Sequence, residues 1–427
     1  MENSISLTKT NRLPSLQFVL VIITGIGLIQ STVLGGLNFS LADISLVLLA
    51  LLMLSNADAK LPVVELTFLA VVFLSRTIIS LILPSWLSII NPEVFASVLK
   101  FGLIIIYFVA GYLIGSRTRA IKLLLKMFVI ANLIIGLVGI ITICTNTISI
   151  VPGLFTSFRY KGLMNDPNYF SMLQIMCLPF IHLFWPHRPV VRGVITLCLV
   201  VAAILSGSKS ALLVLCLLGI FKLVTGTWKL LKSGRIPQLT IIVLTILILI
   251  TIGTLITPQL ANVVHTLEAV NPSFARISTL FSGDNPLTSN GSDRTSAWKN
   301  ALSITATMNG LGIGFHDYGI VANQLVGETV IAHNTILQLV VEWGISFTFI
   351  FICFMGYQFW RGWRSAQPLV RALTSAMAIC IIYSMSISLN NSRIFWIFLA
   401  IWFAQIAATK STTRRMKNEN FSNHGNS

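Results

Sequence analysis

The side chains best suited to chemistry in this chain are one histidine and a few scattered cations. His333 stands in the stretch TVIAHNTILQLVVEWGISF, residues 329–347, where a long polar loop gives way to an apolar run. Its imidazole, with an ordinary pKa near ~6.5, can accept a proton at neutral pH, so the chemistry it offers is general-base catalysis. Read as a helix at about 100° per residue, the run puts Leu337, Val340 and Gly344 on nearly the same face as His333. Asn334, Gln338 and Glu342 form a second, polar line, which is costly in lipid unless it faces protein or water. A histidine at a membrane boundary often has only a structural place, but the adjacent Asn and the polar line weigh toward function. His182, His187, His265, His316 and His424 lack such a setting, although His316 in GFHDYG is a candidate supporting group. No HExxH or paired His/carboxylate spacing points to a metal.

Three further stretches carry isolated cations. In FRYKGLMNDPNYF, residues 158–170, Arg159 and Lys161 lead into an Asn-Asp-Pro turn and then Asn168 at a helix start. Pro167 and the Asx residues account for the turn by themselves, but they do not require two nearby cations. In SGSKSALL, residues 206–212 with the following leucine, a link too short to leave the membrane surface carries Lys209, either as a tight hairpin or as a lysine with hydroxyls aimed at an anion. In GSDRTSAWKNAL, Ser292 or Asp293 can cap a helix with Trp298, Ala301 and Leu302 on its apolar face. Arg294 then falls in the first turn, where the helix dipole disfavours a cation and a bound anion would offset that penalty. The GLGIG run that follows lacks the lysine and the strand context of a phosphate loop.

These residues must be positioned by membrane helices. The 427-residue chain is 55% hydrophobic and 10% charged, against about 25% charge in soluble domains. Apolar runs of about 20 residues, enough to cross a hydrocarbon core, recur from end to end. They fall near 13–33, 40–55, 62–83, 95–115, 120–146, 168–185, 190–206, 208–226, 237–257, 333–359, 368–388 and 393–408. The expected fold is an all-α polytopic membrane protein of about twelve transmembrane helices, with a large helical loop between spans 9 and 10. Its parts are a cytoplasmic N-terminus (1–12), spans 1–9 (13–257), an outer loop or cap (258–332), spans 10–12 (333–408) and a basic tail (409–427) expected to be disordered.

The formal net charge of +16 invites a nucleic-acid reading. In the twelve-span arrangement, however, most Lys and Arg fall in inner loops, as the positive-inside rule requires, and both termini are cytoplasmic. Arg76, Lys100, Arg159, Lys161, Lys209, Arg276, Arg294, Lys299 and Arg393 break that bias. The long loop also holds Glu268, Asp284, Asp293, Asp317 and Glu328, so its cations would act as individually placed donors and not as a basic field. Any one of them is equally accommodated as a snorkelling or solvated side chain. The six cysteines sit in or beside apolar runs without CxxC spacing and read as small core residues. No repeat supports an inverted-repeat transporter.

Taken in order, KGLMNDPN, SGSKSALL, DRTSAWKNAL…GLGIG and HNTILQLVVEWG resemble the O-antigen ligase and polymerase superfamily of bacterial polysaccharide assembly. The resemblance spans roughly residues 155–350. Arg276 with Leu280 fits an Arg-x-x-x-Leu pattern; Lys209 stands where Arg is frequent, and Phe347 where ligases tend to have Gly, Thr or Tyr. The resemblance implies an inner-membrane, GT-C-like inverting glycosyltransferase without metal or other cofactor. The donor would be a saccharide on undecaprenyl diphosphate at the periplasmic face. The acceptor would be a sugar hydroxyl on a lipid-linked repeat unit or on lipid A–core. Carried over residue by residue, His333 would be the base, and Arg159, Lys209, Arg276 and Arg294 would bind the diphosphate. Asp166, Asn168, Asn334 and Lys161 would support them. Membrane lipid and a chain-length regulator are the expected partners. Polymerase is favoured over ligase by Phe347, and a lipid-linked oligosaccharide flippase is the alternative of another class.

Overall fold

A computed structural model describes residues 13–34, 37–55, 59–82, 91–232, 294–329 and 331–424, with isolated positions between 240 and 268. Expected span 9, the loop up to residue 293 and Arg276 therefore lie outside the described residues. The described chain is mostly helical. It begins with α1 (Ser15–Gly27), α2 (Leu41–Leu54), α3 (Val63–Ile82), α4 (Asn91–Gly115) and α5 (Thr118–Cys144). There follow α6 (Pro167–Met176), α7 (Leu178–Phe184), α8 (Pro189–Leu205) and α9 (Lys209–Lys232). The C-terminal part holds α10 (Arg294–Thr307), α11 (Tyr318–Val326), α12 (Thr335–Trp343), α13 (Ile345–Trp363), α14 (Pro368–Ser384) and α15 (Arg393–His424). Two short antiparallel hairpins, Thr32–Leu34 with Leu37–Phe39 and Phe155–Thr156 with Arg159–Tyr160, are the strands among the described residues.

Among the described residues four helices are long and apolar enough to cross a membrane, within Val63–Ile82, Val94–Gly115, Thr118–Cys144 and Lys209–Lys229; five shorter apolar helices accompany them. The protein is thus an all-α membrane protein in its broad class. The bundle centre is α4 against α15, where Gly111 and Gly115, a Gly-x-x-x-Gly pair, meet the α15 backbone. A Cβ on Gly111 would lie 2.7 Å from the Ile397 carbonyl oxygen, and one on Gly115 2.8 Å from Ile401 Cα. Small residues at this spacing let two helices approach within van der Waals reach where lipid gives no hydrophobic drive.

Three expectations are corrected. The run expected as one span from 333 to 359 is two helices, because Gly344 (φ 85°, ψ 165°) breaks it between α12 and α13. The run at 168–185 is divided at Cys177 into α6 and α7. The buried face of α10 is Ala297, Ala301, Ile304 and Thr305, while Leu302 is exposed. The helix α15 is continuous to His424.

The break at Gly344 is covered by the GLGIG run. Gly310, Gly312 and Gly314 all have positive φ, so the chain coils tightly past the exposed helix ends. Ile313 donates its N–H to Val341 O at 2.8 Å, and Ile345 donates to Gly310 O at 2.9 Å. Phe315 N donates to Ser80 Oγ at 2.7 Å and Arg76 Nε to Gly314 O at 2.9 Å, which ties the run to α3. The strap thus satisfies within the protein the backbone groups that the break opens.

Candidate functional site

The strap fixes the C-terminal ends of α10 and α12 together, and these two helices pack along one another through Ala301, Ile304 and Val341. Their N-terminal ends consequently meet, carrying Arg294 on α10 and His333 just before α12. His333 has φ 46°, a left-handed conformation that costs a non-glycine residue about 1–3 kcal/mol unless its surroundings enforce it. The turn frees Asn334 to cap α12: its Oδ1 accepts from Ile336 N at 3.0 Å and Leu337 N at 3.2 Å. His333 therefore stands outside the helix and does not share a continuous face with Leu337, Val340 and Gly344.

The imidazole is exposed, yet the protein around it withdraws enough water to lower its pKa below the ordinary value. Burial is the largest cause, the Arg294 charge lowers it further, and Asp166 opposes both. The ring is accordingly neutral at neutral pH, with a cation and a carboxylate in its electrostatic neighbourhood.

Asp166 belongs to the N-terminus of α6. Its Oδ1 accepts from Asn168 N at 2.7 Å and Tyr169 N at 3.3 Å, with Pro167 as the first helical residue. Arg159, on the short hairpin before this turn, donates from Nη2 to Asn168 Oδ1 at 3.1 Å and from Nε to Ser206 O at 2.9 Å. Ser206 and Gly207 (φ 61°) form the tight link into α9, whose first residue is the half-buried Lys209. Arg159 thereby joins the start of α6 to the start of α9. Four helix N-termini, those of α6, α9, α10 and α12, are connected at this end of the bundle, through Arg159 on one side and through His333 with Asp166 and Arg294 on the other.

Of the residues expected at a site, His333, Arg159, Lys209, Arg294, Asp166, Asn168 and Asn334 belong to this connected set. Lys161 instead lines a cavity with Gly153 and Leu154 that adjoins the one beside Asp166 through Gln30, Ser31, Met164 and Asn165, and Arg276 lies outside the described residues. Lys299 is exposed on α10.

A further part was missed: the loop SMSISLNNSR between α14 and α15. Thr335 Oγ1 donates to Ile387 O at 2.8 Å and accepts from Leu389 N at 2.8 Å. Tyr169 OH donates to Ser388 O, and Ser210 Oγ to Ser386 Oγ at 2.7 Å. The loop thus touches α6, α9 and α12 at their starts. It floors a cavity of about 260 Å³ lined also by Asp166, Tyr169 and Gln338. Its signal in the sequence was seven polar residues among ten, between two apolar runs.

Below His333 the polar line is real. Glu342 Oε1 accepts from Gln338 Nε2 at 2.9 Å and Asn390 Nδ2 at 2.8 Å, and Glu342 Oε2 is 3.6 Å from Arg76 Nη2. The Arg76 guanidinium also lies 4.3 Å from the centre of the Phe315 ring.

Residues 194–352 match a family model described as O-antigen ligase. The matched stretch runs from α8 into α13 and includes Lys209, Arg276, Arg294, the strap and His333; Arg159, Asp166 and Asn168 precede it. No curated protein and no solved structure matched significantly.

Proposed function

We propose, with residues 194–352 supporting membership of the O-antigen ligase and polymerase superfamily, that this membrane protein transfers a glycan from a lipid diphosphate to a sugar hydroxyl. The family indicates ligase- or polymerase-type glycosyl transfer. The observation that carries the finer reading is the meeting of four helix N-termini with His333, Arg159, Lys209 and Arg294. Each helix start carries about half a positive charge, and cations placed beside it favour an anion there. A departing diphosphate is such an anion. Arg159, Lys209 and Arg294 stabilise the charge that develops as the glycosidic C–O bond breaks, which is the task a metal would otherwise perform. Arg276 completes that set in this reading.

His333 takes the proton from the acceptor hydroxyl as its oxygen attacks the anomeric carbon from the side opposite the diphosphate, inverting the configuration. Asp166, Asn168 and Asn334 hold the surrounding helix starts in place, and Lys161 serves at the margin. In the twelve-span arrangement expected from the sequence, this end of the bundle faces the periplasm from the inner membrane. Undecaprenyl diphosphate is the matching carrier, and the apolar groove lined by Phe68, Phe351, Phe354 and Phe403 gives its chain a place between helices.

Polymerisation of lipid-linked repeat units, with a chain-length regulator as partner, is the first reading, on Phe347. The description of the matched family favours a second, transfer of finished O-antigen to lipid A–core. The glycans of a deletion strain separate the two. Single repeats on the core indicate a lost polymerase, and bare core with lipid-linked long chains a lost ligase. Unchanged glycans would refute both. A flippase is less well supported, because the deep ionisable pair, Arg76 and Glu342, is engaged with itself and with Gly314, Gln338 and Asn390.

A further inference from the structure

On the other side of Ile331, Gln338 and Asn391 from the cavity beside Asp166 lies a second one of about 310 Å³. The two share those three residues, so they adjoin. The second is lined by His316 and Tyr318 from the segment after the strap, and by Arg76 and Glu342. Neither the proton transfer nor the diphosphate uses any of these groups.

Three of the lining side chains are more than nine-tenths buried and hold polar atoms without a hydrogen-bond partner among the described residues. His316 is 3% exposed, with Nδ1 and Nε2 both unpaired; Tyr318 is 5% exposed, with its OH unpaired; Gln338 is 6% exposed, with Oε1 unpaired. A buried polar atom left without a partner costs about 1–3 kcal/mol, so four of them around one cavity are not expected from packing alone. The strap explains why they are held there. It fixes Phe315 against Arg76 and Ser80, and Asp317 then caps α11 through Gly319 N at 2.9 Å, which leaves the intervening His316 turned inward.

The chemistry of these atoms selects a ligand class. Burial lowers the pKa of His316, so its ring is neutral, with one nitrogen donating and the other accepting. A tyrosine hydroxyl does both, and a glutamine oxygen accepts. The Arg76 charge is met by Glu342, and the more exposed Lys100 and Asp317 add one charge of each sign, so no net field for an anion results. Mixed donors and acceptors beside an aromatic ring, with charge balanced, match the vicinal hydroxyls of an uncharged sugar and not a phosphate. The volume lies at the lower end of the ~300–1,000 Å³ of small-molecule sites.

We propose that this cavity is a carbohydrate subsite, seating a sugar ring of the glycan substrate through His316, Tyr318 and Gln338 beside the His333 centre. The assignment to a substrate glycan rests on the glycosyl-transfer reading; the binding of a neutral sugar does not.

The test uses the full-length protein in lipid nanodiscs, with the methyl glycosides of glucose, galactose, N-acetylglucosamine and rhamnose as probes in saturation-transfer NMR. At least one glycoside is expected to bind. Tyr318→Phe should weaken it about three- to tenfold, the value of one hydrogen bond, and His316→Phe should abolish it by filling the cavity. Inorganic pyrophosphate, followed by ³¹P line broadening, should bind both variants as it binds the wild type. Should His316→Phe fail to fold, Tyr318→Phe decides alone. Absence of any glycoside signal, which would mean ordered water only, or a signal that Tyr318→Phe leaves unchanged, would overturn the subsite. Glycoside binding that persists in a protein whose deletion leaves cellular glycans unaltered would uphold the subsite and sink the transferase reading.

Discussion

Replacing Arg76 with methionine tests whether the deep ion pair holds α3 to the broken helix. The two side chains are 6% and 9% exposed, and their charged atoms are 3.6 Å apart. At an effective dielectric of about 20, that separation gives an attraction of about 4–5 kcal/mol, offset by the cost of burying both charges. The pair need not be stabilising as a whole. Removing one member is different: Glu342 keeps the donors Gln338 and Asn390 but loses its counter-charge, and Gly314 O loses its donor. Breaking a buried pair costs about 3–5 kcal/mol, and a lone acid at the centre of a membrane helix about 2.5–3.5 kcal/mol, so the two routes agree near 3 kcal/mol. Combining Arg76→Met with Glu342→Gln keeps an acceptor for Gln338 and Asn390 and removes the stranded charge, so about 2 kcal/mol should return. Unfolding of the purified protein by SDS in mixed micelles, followed by tryptophan fluorescence, measures each variant. A single-variant loss below about 1 kcal/mol, or losses that simply add in the double variant, would refute the reasoning.

Other expectations concern the site and the strap. His333→Ala should reduce transfer by about 10²–10⁴-fold with protein levels intact, and near-normal chain length on a gel would remove the base role. Because the neutral ring is the base and its pKa is lowered, activity should fall only as pH drops below about 6.5. Arg294→Gln should move that acid limb upward and Asp166→Asn downward, and shifts of the same sign would contradict the arrangement. In complementation, Arg294→Ala should harm glycan assembly more than Lys299→Ala, which alters an exposed residue; equal tolerance would exclude Arg294 from the diphosphate set. Gly344→Ala should sharply lower folded yield on size-exclusion chromatography. Its Cβ would lie 2.5 Å from the Leu311 oxygen, and its backbone occupies a region nearly reserved for glycine. EDTA should leave the rate in purified membranes unchanged, and inhibition reversed by added divalent metal would argue against cations in the metal's role.

Apolar run length made the helical membrane class legible, and the Asx residues of NDPN and HN stood out beside helix starts. Both signals are local: a hydrophobic stretch, or an Asx residue before a helix start, needs no distant partner to be understood. The break at Gly344 was hidden because TILQLVVEWGISF is apolar and helix-compatible on both sides. Only the remote Gly310–Gly314 run, by offering hydrogen bonds to the opened backbone, makes the break affordable. The same distance hid Arg76 as the partner of Glu342, since α3 and α12 are separated by most of the chain. His316 was singled out only as a supporting group, because GFHDYG does not reveal that Gly314 is anchored to α3. The loop at residues 385–392 looked like an ordinary connection, and its role depends on three helix starts that reach it from elsewhere.

The strap also makes α10 and α12 a ruler. Both helices run from one anchored end toward the site. The 14 residues of α10 measure about 21 Å, and the nine of α12 about 13.5 Å. Asn334, which is extended, adds about 3.3 Å to the shorter arm, and the left-handed turn at His333 then carries the chain off the α12 axis. The separation of Arg294 from His333 is therefore set by a residue count. One residue inserted within α10 would raise Arg294 by about 1.5 Å and swing it about 100° around the axis, away from the imidazole. An insertion at residues 327–331, outside both arms, would leave that separation unchanged. Length variation in this part of the chain is thus confined by geometry to the connection and kept out of the helices it joins.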